Sequence, residues 1–354
     1  MLIRTLLEPQ RTLQFSLRDW HYVLLQARQH GLLAKLEAGL AAQGLFEPAP
    51  YKARAQMHAA RIAALSSQTA VRFEVNRILR ALGSNDIPIV LMKGSAYVHA
   101  GLPPAAGRFI GDVDLMVPRD RIEQIERILV GHGWTAAALD AYDQRYYREW
   151  AHEIPPLQHP ERDTPVDIHH TIAPLTSRVH PDADAILAAS RPLADARLRV
   201  MGPADMVLHS ALHLFNDEVG MPLRDLFDLH DLLGHFAATP GFWDELLARA
   251  QLHGLQRVLY HLLRHSQETL NTVVPAPVLL AAARWAPPLL VRPLIGGLLR
   301  RHFTPDPPGG PGALKQATDT LLYLRAHWLR MPPALLLRHL SVKAWKRLRH
   351  GAPE

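Results

Sequence analysis

The sequence predicts an α+β fold, in which a small α/β core with a mixed sheet lies between N-terminal and C-terminal helical regions. Apolar residues recur at helical spacing over about the first 80 residues and again from Gly202 onward. Between these regions, short apolar runs alternate with amphipathic stretches, as expected for alternating strands and helices. We therefore divide the chain into segments 1–83, 84–201, 202–305 and 306–354, the last being a linker with a basic amphipathic tail.

The N-terminal region begins with a helix signal at Ser16. Ser16 and Asp19 have the spacing of a capping box, in which each side chain bonds the main-chain amide of the other residue. Apolar residues follow at helical spacing until Gly31, where the helix is expected to end. A second helix and a long third helix follow, and the third is predicted to end at Gly83.

The core segment contains three short apolar runs, at residues 87–92, 113–117 and 165–170. Their length and composition are typical of buried strands. A helix is predicted to begin at Ala96, after the first strand, and an amphipathic helix to span Arg119 to Val130, after the second.

The most informative local pattern is the pair Asp112 and Asp114, which stands at the start of the second strand. Alternate residues of a strand point to the same face, with Cα atoms about 6.6 Å apart. Two carboxylates in this arrangement can chelate a hard divalent cation such as magnesium, which prefers oxygen ligands. The same pattern also fits a solvated pair of aspartates at a strand entrance.

Upstream of this pair, Lys93-Gly94-Ser95 joins the first strand to the following helix. Glycine lets main-chain amides approach a phosphate, and the start of a helix carries a partial positive charge. Lys93 and Arg108 add two cations on either side of this segment. A strand followed by Gly-Ser is also common in ordinary turns.

These residues resemble the core of the uncharacterised nucleotidyltransferase family within the DNA polymerase beta-like superfamily. Members have a hydrophobic strand, a Lys-Gly pair, a helix, an Arg, and then Gly-Asp-x-Asp before an apolar strand. Here the matching residues are Lys93-Gly94, Arg108 and the GDVD motif at 111–114. The resemblance extends more weakly over residues 15–235.

The resemblance implies that Asp112 and Asp114 are catalytic metal ligands. A third carboxylate on a later strand completes the site in that superfamily, and Asp167 is the matching position in this chain. We therefore expect two Mg²⁺ ions at these three residues. The implied reaction transfers a nucleoside monophosphate, most simply AMP from ATP, to an acceptor that is a small molecule, a peptide or a protein.

The resemblance also implies a nucleotide-binding group, with Gly94-Ser95 as the triphosphate-binding turn and Lys93 and Arg108 as its cations. Arg108 is expected to face the phosphates. Gly94 lies 18 positions before Asp112, which is further than in the smallest members of the superfamily.

Two other functions remain open at this point. One is a nucleotide-binding or regulatory module without turnover. The other is a helical ribonuclease or a toxin–antitoxin component, which depends on the spacing of Arg224 and His230. Retention of three carboxylates favours the enzyme, because a binding module has no need of clustered negative charge beside a triphosphate.

Composition limits the remaining classes. The chain of 354 residues has a formal net charge of +6 and no cysteine, which excludes disulfide scaffolds and thiolate metal sites and fits a cytoplasmic protein. Seven basic residues and no acidic ones lie between residues 321 and 350, which makes this segment a candidate contact for an anionic surface. No apolar stretch is long and uncharged enough to predict a transmembrane segment.

Overall fold

The computed structural model describes residues 1–136, 147, 150–216, 220–307, 309–333 and 335–336. Within these residues the chain has the predicted α+β fold, with a seven-stranded mixed sheet covered by helices. One hydrophobic core extends from the N-terminal helices through the sheet to the C-terminal helices.

The N-terminal region consists of α1 (Leu2–Leu7), α2 (Leu17–Gln29), α3 (Leu33–Ala42) and α4 (Tyr51–Leu82). The predicted capping box begins α2, since Ser16 accepts a bond from the Asp19 amide and the Asp19 carboxylate accepts one from the Ser16 amide. The long helix α4 packs against two later helices of the core segment, Lys93–His99 and Ile122–Gly131, and its buried residues include Val71, Val75 and Ile78.

The sheet has the strand order β3-β4-β5-β2-β1-β7-β6. Its strands are β1 (Ile89–Leu91), β2 (Val113–Met116), β3 (Thr135–Ala136), β4 (Leu157–Gln158), β5 (Val166–His169), β6 (Arg191–Pro192) and β7 (Leu198–Val200). Strand β2 lies between β1, to which it is antiparallel, and β5, to which it is parallel. The three strands predicted from sequence are therefore neighbours at the centre of the sheet.

The core helices are α5 (Lys93–His99), α6 (Ile122–Gly131) and α7 (Ala183–Ala189). The prediction that the helix after β1 starts at Ala96 was wrong, because α5 begins at Lys93 and includes Lys93, Gly94 and Ser95 in its first turn. A short 3₁₀ turn, Arg119–Arg121, precedes α6 within the stretch that was predicted as one helix.

The C-terminal region is helical, as predicted. It contains α8 (Pro203–Asn216), α9 (Pro222–Phe236), α10 (Phe242–Leu252), α11 (Gln256–Leu270), α12 (Ala276–Ala283), α13 (Arg292–Phe303) and α14 (Ala313–Arg330). None of the described helices combines the length and the hydrophobicity that a membrane span requires.

The segment 306–354 differs from the expected linker and tail, because α14 packs against α8 and α13. Leu322 and Ala326 are buried there, and the Arg325 guanidinium donates a 2.7 Å hydrogen bond to the main-chain oxygen of Phe215. Residues 313–330 are therefore part of the helical region. Half of the basic segment 321–350, namely residue 334 and residues 337–350, lies outside the described residues.

Candidate active site

The three predicted carboxylates meet where β2 and β5 run side by side. The parallel register pairs Asp114 directly with Asp167, and Asp112 precedes Asp114 by two positions. Neighbouring strands lie about 4.8 Å apart, and residues paired across a sheet share a face. The sheet register therefore brings together residues that are about 50 positions apart in the sequence.

Asp114 is the most buried of the three, at 4% exposure. Its Oδ1 lies 3.2 Å from Nζ of Lys93 and 3.1 Å from Nε2 of His169. Burial alone would raise the pKa of Asp114, but the Lys93 charge and the His169 hydrogen bond outweigh burial and hold that pKa well below its ordinary value. Asp114 is therefore a fixed anion.

In contrast to Asp114, the other two carboxyls, Asp112 and Asp167, have raised pKa values. Burial and the nearby Asp114 charge raise the pKa of Asp112. Burial, Asp114 and Glu153 raise the pKa of Asp167 to about 7, and its Oδ1 is buried without a hydrogen-bond partner in the described part of the chain. A divalent cation would relieve this repulsion and give Oδ1 a partner, so the donor set fits magnesium.

Lys93 has a backbone conformation that the sequence did not predict. Its φ of 45° lies in the left-handed region, which a residue with a Cβ enters only at a cost of about 1–3 kcal/mol. This conformation occurs at the first residue of α5, directly after the strand, and the Lys93 ammonium reaches Asp114 from there. Strain of this kind clusters at functional sites.

Gly94 and Ser95 are both buried in the first turn of α5. A Cβ at Gly94 would meet side-chain atoms of Ile110 at 3.0 Å, so glycine permits close packing here. The Ser95 hydroxyl lies 3.0 Å from the Met92 carbonyl and 3.2 Å from the Asp114 carbonyl. This hydroxyl therefore links α5 to β2.

Arg108 does not have the environment that was expected for a phosphate ligand. Its guanidinium forms an ion pair with Asp228 and lies 3.4 Å from Asp225, both on α9. It also stands over the ring of Tyr97, 5.8 Å from the centroid. Burial lowers the pKa of Arg108, opposed by the Asp225 charge. Arg108 thus joins the loop before β2 to the C-terminal helices.

The structure adds residues that sequence reasoning did not assign to the site. Glu153 pairs with His169 across an isolated bridge, and its Oε2 lies 3.4 Å from Nδ1 of His169. His209 on α8 is buried, and burial together with the Lys93 and His169 charges holds its pKa well below its ordinary value. The sequence could have indicated His169, because it lies two positions after Asp167 on the same face of the strand. No sequence pattern indicates Glu153, because its pairing with His169 is non-local.

The residues proposed for a ribonuclease site do not converge. The Arg224 guanidinium binds Asp225 at 2.8 Å, whereas Nδ1 of His230 lies 2.8 Å from the Thr272 hydroxyl. Six positions along a helix turn through about 600°, so the two side chains point about 120° apart. Their contacts are those of structural residues.

Comparisons with known proteins found a family model and a solved structure that are similar to this chain. The family model described as uncharacterised nucleotidyltransferase matches residues 16–271. A solution structure of the antibiotic-resistance factor ANT(2'')-Ia is similar over 57% of this chain and 98% of that chain, with a TM-score of 0.34 and 17% sequence identity. No curated protein matches the sequence. The family match includes the three aspartates, Lys93 and His209.

Proposed function

Because the chain belongs to the uncharacterised nucleotidyltransferase family, we propose that it transfers a nucleoside monophosphate, most simply AMP from ATP, to an acceptor in a magnesium-dependent reaction. The observation that supports this proposal most directly is the register of Asp114 against Asp167, with Asp112 two residues before. A module that only bound nucleotide would gain nothing from three carboxyls that repel one another.

In this reaction an acceptor oxygen forms a bond to the α-phosphorus, and the bond from that phosphorus to pyrophosphate breaks. Asp112, Asp114 and Asp167 would hold two magnesium ions, which when bound supply charge neutralisation for the attacking and leaving oxygens. Lys93 holds a fixed positive charge beside Asp114 and stabilises the growing negative charge on the phosphoryl oxygens.

Asp167 has a second role in the proposal. A carboxylate has two oxygens, so one oxygen of Asp167 would hold a metal ion while the other accepts the proton that leaves the acceptor. His169 keeps Asp114 oriented through the bond from its Nε2, and its other ring nitrogen faces Glu153. The acceptor is a small molecule, a peptide or a protein with a nucleophilic oxygen.

Calorimetry with ATP tests the metal site. We expect binding in the presence of Mg²⁺ and little binding without it, and we expect the Asp112→Asn, Asp114→Asn double variant to lose at least about tenfold in affinity, equivalent to 1.4 kcal/mol. Asp120→Asn is the matched control, because the Asp120 side chain is 77% exposed and lies on the 3₁₀ turn before α6. Unchanged affinity in the double variant would exclude this metal site.

Transfer itself requires a second assay, because ATP binding alone is also expected of a regulatory module. Incubation of the protein with ATP labelled at the α-phosphate, Mg²⁺ and cell extract should attach the label to an acceptor. The double variant should abolish this labelling, whereas Asp120→Asn should retain it. ATP binding without labelling by the wild-type protein would favour the binding module.

A further inference from the structure

Next to the aspartates lies a group of residues with different ligand chemistry. Among the residues that the structure describes, one set of three metal-ligating side chains has ligand atoms that all lie within 4.8 Å of one another, namely His152, Glu153 and His169. We call this set the His–Glu cluster. It offers two imidazole nitrogens and one carboxylate, whereas the aspartate site offers oxygens only.

The backbone holds the cluster in place. The His170 amide donates a 2.9 Å hydrogen bond to the His152 carbonyl, and the Ile154 amide donates a 3.0 Å bond to the Ile168 carbonyl. These two bonds fix residues 152–154 along β5, so that Glu153 stands opposite His169 on the same face of the sheet. The rings of His152 and His169 have centroids 5.1 Å apart.

His169 shows the arrangement that metal-binding histidines adopt. The residue is 1% exposed, its Nε2 lies 3.1 Å from Oδ1 of Asp114, and its Nδ1 is buried without a hydrogen-bond partner in the described part of the chain. A proton on Nε2, donated to the Asp114 carboxylate, leaves the lone pair of Nδ1 directed at the cluster. Metal ligands of this type almost always donate their other ring N–H to a carboxylate, a carbonyl or water.

We propose that the His–Glu cluster binds one divalent transition-metal ion, with zinc as the best match, at a site distinct from the aspartates. Two histidines and a glutamate with an open fourth position form a known zinc ligand set, whereas magnesium prefers oxygen ligands. Tetrahedral zinc with bonds of about 2.0–2.1 Å holds its ligand atoms about 3.3 Å apart, so each side chain moves by less than about 1 Å.

A metal ion in the His–Glu cluster would also affect the orientation of Asp114 in the neighbouring aspartate site. A metal on Nδ1 of His169 fixes the ring and its tautomer, and Nε2 of the same ring donates to Asp114. The ion thus orients Asp114 through His169 without contacting it. This site does not depend on the proposed transfer reaction, because its ligands are in place whether or not nucleotide is turned over.

Zinc binding is measured on the full chain after removal of metal with a chelator, in buffer that contains Mg²⁺ and no nucleotide. We expect one Zn²⁺ per chain by equilibrium dialysis, and with Co²⁺ in its place the visible absorption of a tetrahedral site. His152→Ala and Glu153→Gln should each weaken binding by at least about 100-fold, because even loss of an outer partner of a metal ligand costs about 10–100-fold.

Matched controls are His132→Ala and Glu161→Gln, which change the same residue types at exposed positions and should leave Zn²⁺ binding unchanged. Asp112→Asn should also leave it unchanged, since Asp112 is not in the cluster. Unaltered melting temperatures would show that the cluster variants are folded. Absence of Zn²⁺ binding, equal binding by the cluster variants, or loss of binding in Asp112→Asn would each overturn the proposal, and none of these outcomes bears on ATP binding at the aspartates.

Discussion

Arg108 is the residue for which sequence and structure make opposite predictions. From the sequence it contacts phosphates, so its removal should weaken ATP binding in a stable protein. In the structure its side chain is 13% exposed and faces Asp228 and Asp225, which are 5% and 10% exposed. Removal of the guanidinium should therefore destabilise the fold.

The size of this effect follows from the partners that remain. Asp225 keeps a second cation, because Arg224 lies 2.8 Å from it, but the Asp228 carboxylate loses its ion pair with Arg108. Breaking a buried pair on one side costs about 3–5 kcal/mol. We expect Arg108→Ala to lower the free energy of unfolding by this amount, which is a large share of the about 5–15 kcal/mol of a typical protein.

Urea denaturation monitored by circular dichroism measures the loss. Arg121→Ala is the control, because the Arg121 side chain is 48% exposed and should change stability by less than about 1 kcal/mol. Replacing both charged partners with apolar residues, as Arg108→Met with Asp228→Leu, should restore much of the stability, because no buried charge is left unpaired. An Arg108→Ala protein with wild-type stability and at least about tenfold weaker ATP binding would refute this reasoning. That result would support the sequence-based prediction that Arg108 contacts the phosphates.

Two further predictions concern other buried groups. Asp167→Ala should reduce label transfer by at least about 100-fold while ATP affinity falls less than about threefold, because the carboxyl acts on the acceptor; equal losses in both assays would make Asp167 a scaffold residue. Burial lowers the pKa of His261 to about 3 and that of His265 to about 4, so only the unfolded chain takes up these protons just below pH 6.5. The contribution of these two neutral histidines to stability should be fully present well above pH 6.5. The free energy of unfolding should fall by about 1–1.5 kcal/mol per residue between pH 7.5 and 5.5. Urea unfolding of His265→Leu should show a smaller difference between these two pH values, and the exposed-site control His58→Leu should not.

Local sequence patterns were sufficient for the central strands. The apolar runs located β1, β2 and β5 to within two residues, because buried strands are short continuous hydrophobic segments with few alternatives. Strand β7 was missed, since its three residues alternate around Arg199 and show no comparable run. Its position beside β1 depends on pairing with residues about 110 positions away.

Helical periodicity was less informative about which face is covered. Apolar residues recur at helical spacing along α4, where Val75 and Ile78 are buried but Ile62 and Leu65 are 55% and 51% exposed. A repeat of 3.6 residues identifies a helix, but it does not reveal which part of a 32-residue helix has a neighbour.

The same limit applies to the site. Asp112 and Asp114 were identified because their relation is local, two positions along one strand. The partner of Arg108 could not be predicted, because Asp228 lies 120 positions further along the chain, on a helix whose acidic residues resemble a solvated edge. Glu153 was not predicted as a site residue for the same reason, because its pairing with His169 joins two segments that have no sequence pattern in common.

The position of β7 next to β1 has a consequence for synthesis of the chain on the ribosome. Strand β1 can pair with β2 soon after both emerge, but its other edge stays open until β7 follows. At about 5–20 residues per second, the roughly 110 residues between them take about 5–20 s. During this interval the nascent chain carries an open apolar strand edge, the kind of edge that pairs with other chains, and it depends on the helices already made or on chaperones for cover.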